Sequence, residues 1–166
     1  MIRKYFLLPV LFLTFTLVTS CGAIIKLKGN KYLTEERGAI PPEFGNANNI
    51  LLFITHHRSY NRYLKRNVKK KFTGTYEFVS EKEFTTNDKY KDIDTYRFIF
   101  DYSYRPVGYN HAKERNYLYS VKRFSILDRK TQKIYKSRIT SSFWSKLQKV
   151  YLKKLNEKMI QQQTLN

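Results

Sequence analysis

Cysteine, acid and recognisable catalytic signatures are all scarce in this chain. Cys21 is the only cysteine, so no intramolecular disulfide can staple the fold and packing alone must stabilise it. No Gly-x-Ser-x-Gly elbow, His-Glu-x-x-His pair or phosphate-cradling glycine loop occurs, which leaves the corresponding hydrolase, metallopeptidase and nucleotide-binding chemistries without sequence support. No apolar run reaches the roughly 20 residues that crossing hydrocarbon requires. Acidic residues number 13 against 32 lysines and arginines, a net charge of +19. Such an excess points to an anionic partner, although it is also what keeps many proteins soluble. What the chain does have is 42% hydrophobic and 16% aromatic residues in a length of 166, enough for one modest domain with a real core and too little for two.

The N-terminus carries the most specific pattern. Arg3 and Lys4 give a positive start, Tyr5 to Val18 is apolar apart from Pro9, Thr14 and Thr16, and Val18-Thr19-Ser20-Cys21 follows. An apolar stretch of this length with these flanks reads as a cleaved secretory signal. The tetrad resembles the lipobox of bacterial lipoproteins, an aliphatic residue and two small ones before an invariant cysteine. That resemblance implies lipid attachment at Cys21, removal of residues 1–20, and acylation of the new amino terminus. A single acyl chain, at ~0.8 kcal/mol per buried methylene, binds a membrane only marginally, whereas two or three on one residue hold it. Gly22, in place of an aspartate, resembles cargo forwarded to the outer membrane, which implies a lipid-anchored envelope protein facing the periplasm. The other readings of these residues are an ordinary secretory signal with a chance free cysteine and an unusually short uncleaved anchor. Loss of Arg3 and Lys4 with the signal leaves +17. In the envelope the partners for that charge are anionic lipid, lipopolysaccharide, wall polymer or an acidic protein, rather than nucleic acid.

Residues 21–49 read as a lipid-anchored tether, with scattered glycines, Pro41-Pro42 and the polar close Gly45 to Asn49, and a coil reach of roughly 30 Å. Residues 50–166 read as a single α+β domain. Ile50 to Ile54 is an unbroken apolar run suited to a strand at the centre of a sheet. Ser59 offers an N-cap for a helix to about Lys71, with Tyr60, Tyr63, Leu64 and Val68 on one side. Thr75 to Ser80 and Thr95 to Tyr104 alternate as strands, the second placing Tyr96, Phe98, Phe100, Tyr102 and Tyr104 on one face. Arg105 to Asn110 then opens a polar loop. Tyr117 to about Leu127 is a strand whose apolar parity shifts, which predicts a bulge near Lys122 or Arg123. Lys133 to Thr140 returns as a hairpin, and Ser142 caps a last helix. The fold class is a mixed sheet of four to five strands with two helices packed on one face.

Few residues bear chemistry. Arg58, Arg62, Lys65, Arg66, Lys69 and Lys70 lie on the polar side of the first helix of the domain and are the candidates for anion binding, although an exposed charged face is often only solvated. Seven of the 13 acidic residues fall between Glu77 and Asp101, so the molecule is expected to be polarised. His56 and His57 sit between the first strand and helix, and their side chains point to opposite faces, so they are not a chelating pair. His111 falls in the polar loop with no partner fixed for it in sequence. Asp88, Asp92 and Asp94 lack the glycine and closing glutamate of a calcium loop, and neither a metal nor another cofactor is expected. Two functions are thus open: a non-catalytic binding or scaffolding lipoprotein acting through its basic helix face, and a periplasmic hydrolase using His56 or His57 with Asp94 or Asp101. The second requires a histidine and an acid within ~3 Å of each other in a pocket.

Overall fold

The computed structural model describes residues 22–47, 49–107 and 119–165, and of 104–107 and 119–120 the backbone alone. A helix over residues 22–32, α1, precedes β1 (Leu51–Thr55), α2 (Arg58–Lys71), β2 (Tyr76–Ser80), α3 (Glu81–Thr86) and a single 3-10 turn (Asp88–Lys91). Then come β3 (Phe98–Val107), β4 (Tyr119–Asp128), β5 (Lys133–Lys136) and α4 (Trp144–Leu165). The strands form one mixed sheet in the order β2-β1-β3-β4-β5. β1 runs parallel to both β2 and β3, while β3-β4 and β4-β5 are antiparallel. This is the expected α+β class. The middle of the sheet is β3 rather than β1, although β1 is interior and buried on both faces, as its unbroken apolar run requires.

Both sheet faces are covered. One meets the helical layer: Leu51, Phe53, Phe98, Phe100, Phe124 and Ile126 pack on Tyr60, Leu64 and Val68 of α2 and on Leu147, Tyr151, Leu152 and Leu155 of α4. The other buries Leu52, Ile54, Val79 and Ile99 under Tyr90 and Tyr96, with Phe84 and Leu127 at its margin. This second cover accounts for two corrections. Tyr96 belongs to it, not to the face of Phe98, because the strand starts only at Phe98. No bulge interrupts β4, whose register against β3 is continuous from Phe98↔Asp128 to Val107↔Tyr119. The parity shift reflects apolar partners on both faces: Phe124 and Ile126 go to one cluster, Leu127 to the other. β3 also continues through Arg105-Pro106-Val107, where a loop was expected; the remainder of that loop, with His111 and Tyr117, lies outside the described residues.

The tether expectation is corrected as well. Residues 22–47 are folded onto the domain, and Ile25, Leu33, Ala39, Ile40 and Phe44 are members of the main core. Ile25 and Gly29 are the buried positions of α1, one turn apart, and Leu33, just past its end, continues the line. A Cβ at Gly29 would sit 2.3 Å from Val150 Cγ1, so this glycine is what lets α1 lie so close on α4. Gly45, at φ +93° and with its α-carbon against the Met159 backbone, turns the segment into the core. Polar ties complete the seal: Tyr151 Oη donates to the Ala39 carbonyl, Lys158 Nζ lies 2.7 Å from Glu35 Oε2, and Arg138 Nε donates to the Arg37 carbonyl at 3.0 Å. Cys21 lies outside the described residues. Among those residues no helix is long and apolar enough to cross a membrane.

Candidate functional site

Two places gather chemistry. The first is the outer surface of the helical layer. α2 buries Tyr60, Leu64, Asn67 and Val68, which turns Arg58, Arg62, Lys65, Arg66, Lys69 and Lys70 into solvent, as their spacing predicts. Asn67 explains how a polar residue fits the buried side: its amide donates to Gln148 Oε1 at 2.7 Å and to Ser145 O and Oγ at 3.2 Å, locking α2 to α4. The guanidiniums of Arg62 and Arg66 lie 5.5 and 4.6 Å from the Tyr63 ring centre, and Lys65 Nζ lies 5.6 Å from that of Phe78. Among the described residues none of these six cations forms an ion pair.

α4 and α1 extend this surface with lysines that the sequence reading passed over. Arg66 shares a shallow hollow with Lys146 and Lys149 beside Trp144. A second groove of about 380 Å³, floored by Ile25 and Val150, brings together Lys26 of α1, Lys71 of α2, and Lys146, Lys149 and Lys153 of α4. Lys146, Lys149 and Lys153 recur at three- and four-residue steps, a helical stripe present in the sequence. The acidic segment lies across the sheet, where Glu81, Glu83, Asp88, Asp92 and Asp94 are exposed on α3 and the turns after it. There the cations are matched: Lys89 to Glu77 at 2.8 Å and Lys91 to Asp88 at 2.7 Å. Hydrogen bonding from Lys89 and from the Tyr96 and Tyr90 hydroxyls holds the Glu77 carboxyl below its ordinary range, with burial working against them. Among the described residues no three His, Cys, Asp or Glu side chains are grouped to hold a metal ion.

The second place is the carboxyl end of the parallel strands, where β1 and β3 meet the start of α2, the common ligand position in open α/β sheets. His56 Nε2 lies 2.6 Å from Asp101 Oδ1, and the His56 ring packs edge-on to Tyr102 at 4.7 Å. Asp101 Oδ1 also accepts the Tyr102 N–H at 2.6 Å. Burial raises the Asp101 pKa above its usual value, against the opposing pull of His56 and of the Tyr102 amide. Lys122 Nζ lies 4.9 Å from the Tyr102 ring centre and 5.2 Å from that of Trp144. Burial, with Asp101 and Tyr102 nearby, holds the Tyr60 phenol protonated far above its ordinary value of 10.0. His57 is elsewhere: as N-cap of α2 its side chain accepts the Tyr60 N–H, and Ser59 Oγ lies 2.9 Å from its Nδ1, so the cap expected at Ser59 is His57. The serine and the acid are therefore on different histidines, and no Ser-His-Asp relay forms among the described residues. Asp94, the other acid considered for this role, is turned to solvent 3.9 Å from Lys130. Comparison of the chain with protein-family models, with curated proteins and with solved structures found no match.

Proposed function

We propose that the chain is a lipid-anchored envelope protein, carried by acyl groups on Cys21 and exposed to the periplasm from the outer membrane, with a non-catalytic binding or scaffolding role. It engages an anionic envelope component through the basic surface of its helical layer. The observation that carries this reading is the asymmetry of charge pairing: the α2 cations have no carboxylate partners among the described residues, while Lys89 and Lys91 beyond the sheet are paired. Unneutralised cations on one face attract polyanions with little stereochemical demand, and screening confines the attraction to ~8 Å at physiological salt. Reversing Arg62, Lys65 and Lys69 to glutamate in the full acylated chain is expected to abolish retention on anionic vesicles and wall material with the fold unchanged. Undiminished retention would remove the proposal.

The contact between His56 and Asp101 favours a second reading, a periplasmic hydrolase in which Asp101 orients His56 as general base for a water molecule. His56→Gln keeps a hydrogen bond to Asp101 but not the base. Under this reading it lowers turnover of a general ester substrate at least 100-fold, and an unchanged rate would dispose of the enzyme.

A further inference from the structure

We infer that the outer surface of α1, α4 and α2 is a membrane-docking face, lying on the anionic phospholipid leaflet that holds the Cys21 lipid, with Ile24 and Leu27 entering the boundary between headgroups and acyl chains. This rests on the lipoprotein reading and names the partner of the basic surface. Four observations lead to it. First, Gly22, the first described residue, is already in α1, and one trans peptide bond places its α-carbon about 3.8 Å from that of Cys21. With residues 22–47 packed into the domain, no coil separates the acyl chains from the protein, and the domain sits on the bilayer rather than some 30 Å from it.

Second, the side of α1 away from its buried positions presents Ile24, Leu27, Lys28 and Lys31 at steps of three and four, a single stripe. Ile24 is 49% and Leu27 69% exposed, and Phe143, 50% exposed, lines one shallow groove with Ile24 and Lys28. Apolar residues interleaved with lysines on one surface stripe are what an interfacial helix requires. A wall polymer or an acidic protein would account for the lysines and leave Ile24, Leu27 and Phe143 without a role. Third, the lysines converge on the attachment point: a Cβ at Gly22 would lie 4.0 Å from Lys146 Nζ, and Lys26 and Lys149 line the same groove. Their ammonium groups stand at the level of the phosphates once Cys21 is acylated, each contributing roughly fivefold to partitioning onto an anionic surface. Fourth, the exposed acids of α3 and the following turns are on the other side of the sheet, so the charge distribution turns the molecule the same way the lipid does. The acidic side then faces the periplasm and is the one left available to a further partner.

Acylation consumes the only native thiol, so a single introduced cysteine in the full chain takes a label. An environment-sensitive fluorophore is placed at Leu27→Cys or, beyond the sheet, at Lys91→Cys. The acylated proteins are reconstituted in vesicles of phosphatidylglycerol with phosphatidylethanolamine, or of phosphatidylcholine alone, each containing a lipid spin-labelled at the headgroup. The label at 27 is expected to be quenched severalfold more than that at 91 in the anionic vesicles. Adding Lys28→Glu, Lys146→Glu and Lys149→Glu, exposed or half-exposed positions whose far-ultraviolet dichroism should not change, is expected to bring position 27 down toward position 91. Equal, weak quenching at both positions in a chain of acylated mass overturns the docking face and leaves the anchor intact. A chain of unacylated mass overturns the anchor and this proposal together.

Discussion

Arg97 and Asp128 form the most enclosed ion pair described: their side chains are 12% and 3% exposed, and two parallel hydrogen bonds of 2.9 Å join them. Glu43 adds a contact of 2.5 Å to the same guanidinium, tying the N-terminal segment to the end of the sheet. Burial opposes ionisation of Asp128, but Arg97, Thr131 and the Lys130 N–H outweigh it and hold its pKa below the ordinary 3.8. A depressed carboxylate pKa contributes stability that is present above the unfolded value and is lost as pH falls through the folded one. Asp128→Asn is therefore expected to cost about 3 kcal/mol near neutrality, where it removes the bidentate partner of an enclosed guanidinium and leaves it Glu43 alone. It should cost much less in acid well below the ordinary 3.8, as pH falls through the depressed folded value. Urea midpoints at the two pH values check this, and an equal loss at both would contradict it. Nothing in the sequence marks Asp128 apart from the other acids, because its importance comes from a partner 31 residues away. His56 and Asp101 were legible as candidates, but which histidine would meet which acid depends on the register of β3 beside β1.

The strands and α2 were readable because their periods are simple: an apolar run in β1, alternation in β3, and a helical stripe in α2. α1 was not. Its buried positions are Ile25 and Gly29, in line with Leu33 just beyond its end, and the middle one is a glycine whose value lies in what it omits, so the stripe has no apolar side chain at its centre of contact. Pro41-Pro42 and Gly45 then read as flexible chain although Gly45 supplies a required left-handed turn. Phe44 shows what the segment contributes: it is 4% exposed and packs edge-on to Phe98 at 5.2 Å and tilted to Phe72 at 6.4 Å. Phe44→Ala is expected to destabilise the domain by about 3 kcal/mol, since it leaves a cavity under the sheet. A loose tether would give no change in the urea midpoint, so the same measurement decides whether residues 22–47 belong to the domain.

At the scale of the molecule, the sequence predicted that charge would be polarised: the exposed acids of α3 and its turns lie on one side of the sheet, and on the other the α2 cations form no ion pair among the described residues, although Lys153, Lys154 and Lys158 of α4 pair with Glu157 and Glu35. What could not be read was that Lys26, Lys71 and Lys149, far apart in the chain, share one groove. Their convergence depends on α1 lying along α4, which the tether reading had removed from consideration. All of this bears on the proposed function through position twenty-one, because the basic layer surrounds α1, which holds the adjoining Gly22. The most direct test is the intact mass of the native protein purified from the envelope, together with its partitioning in detergent. The account predicts a chain of residues 21–166 carrying glyceride and amide-linked acyl groups and found in the detergent phase, shifting to the aqueous phase in Cys21→Ala. An unmodified chain retaining residues 1–20 and found in the aqueous phase would contradict it.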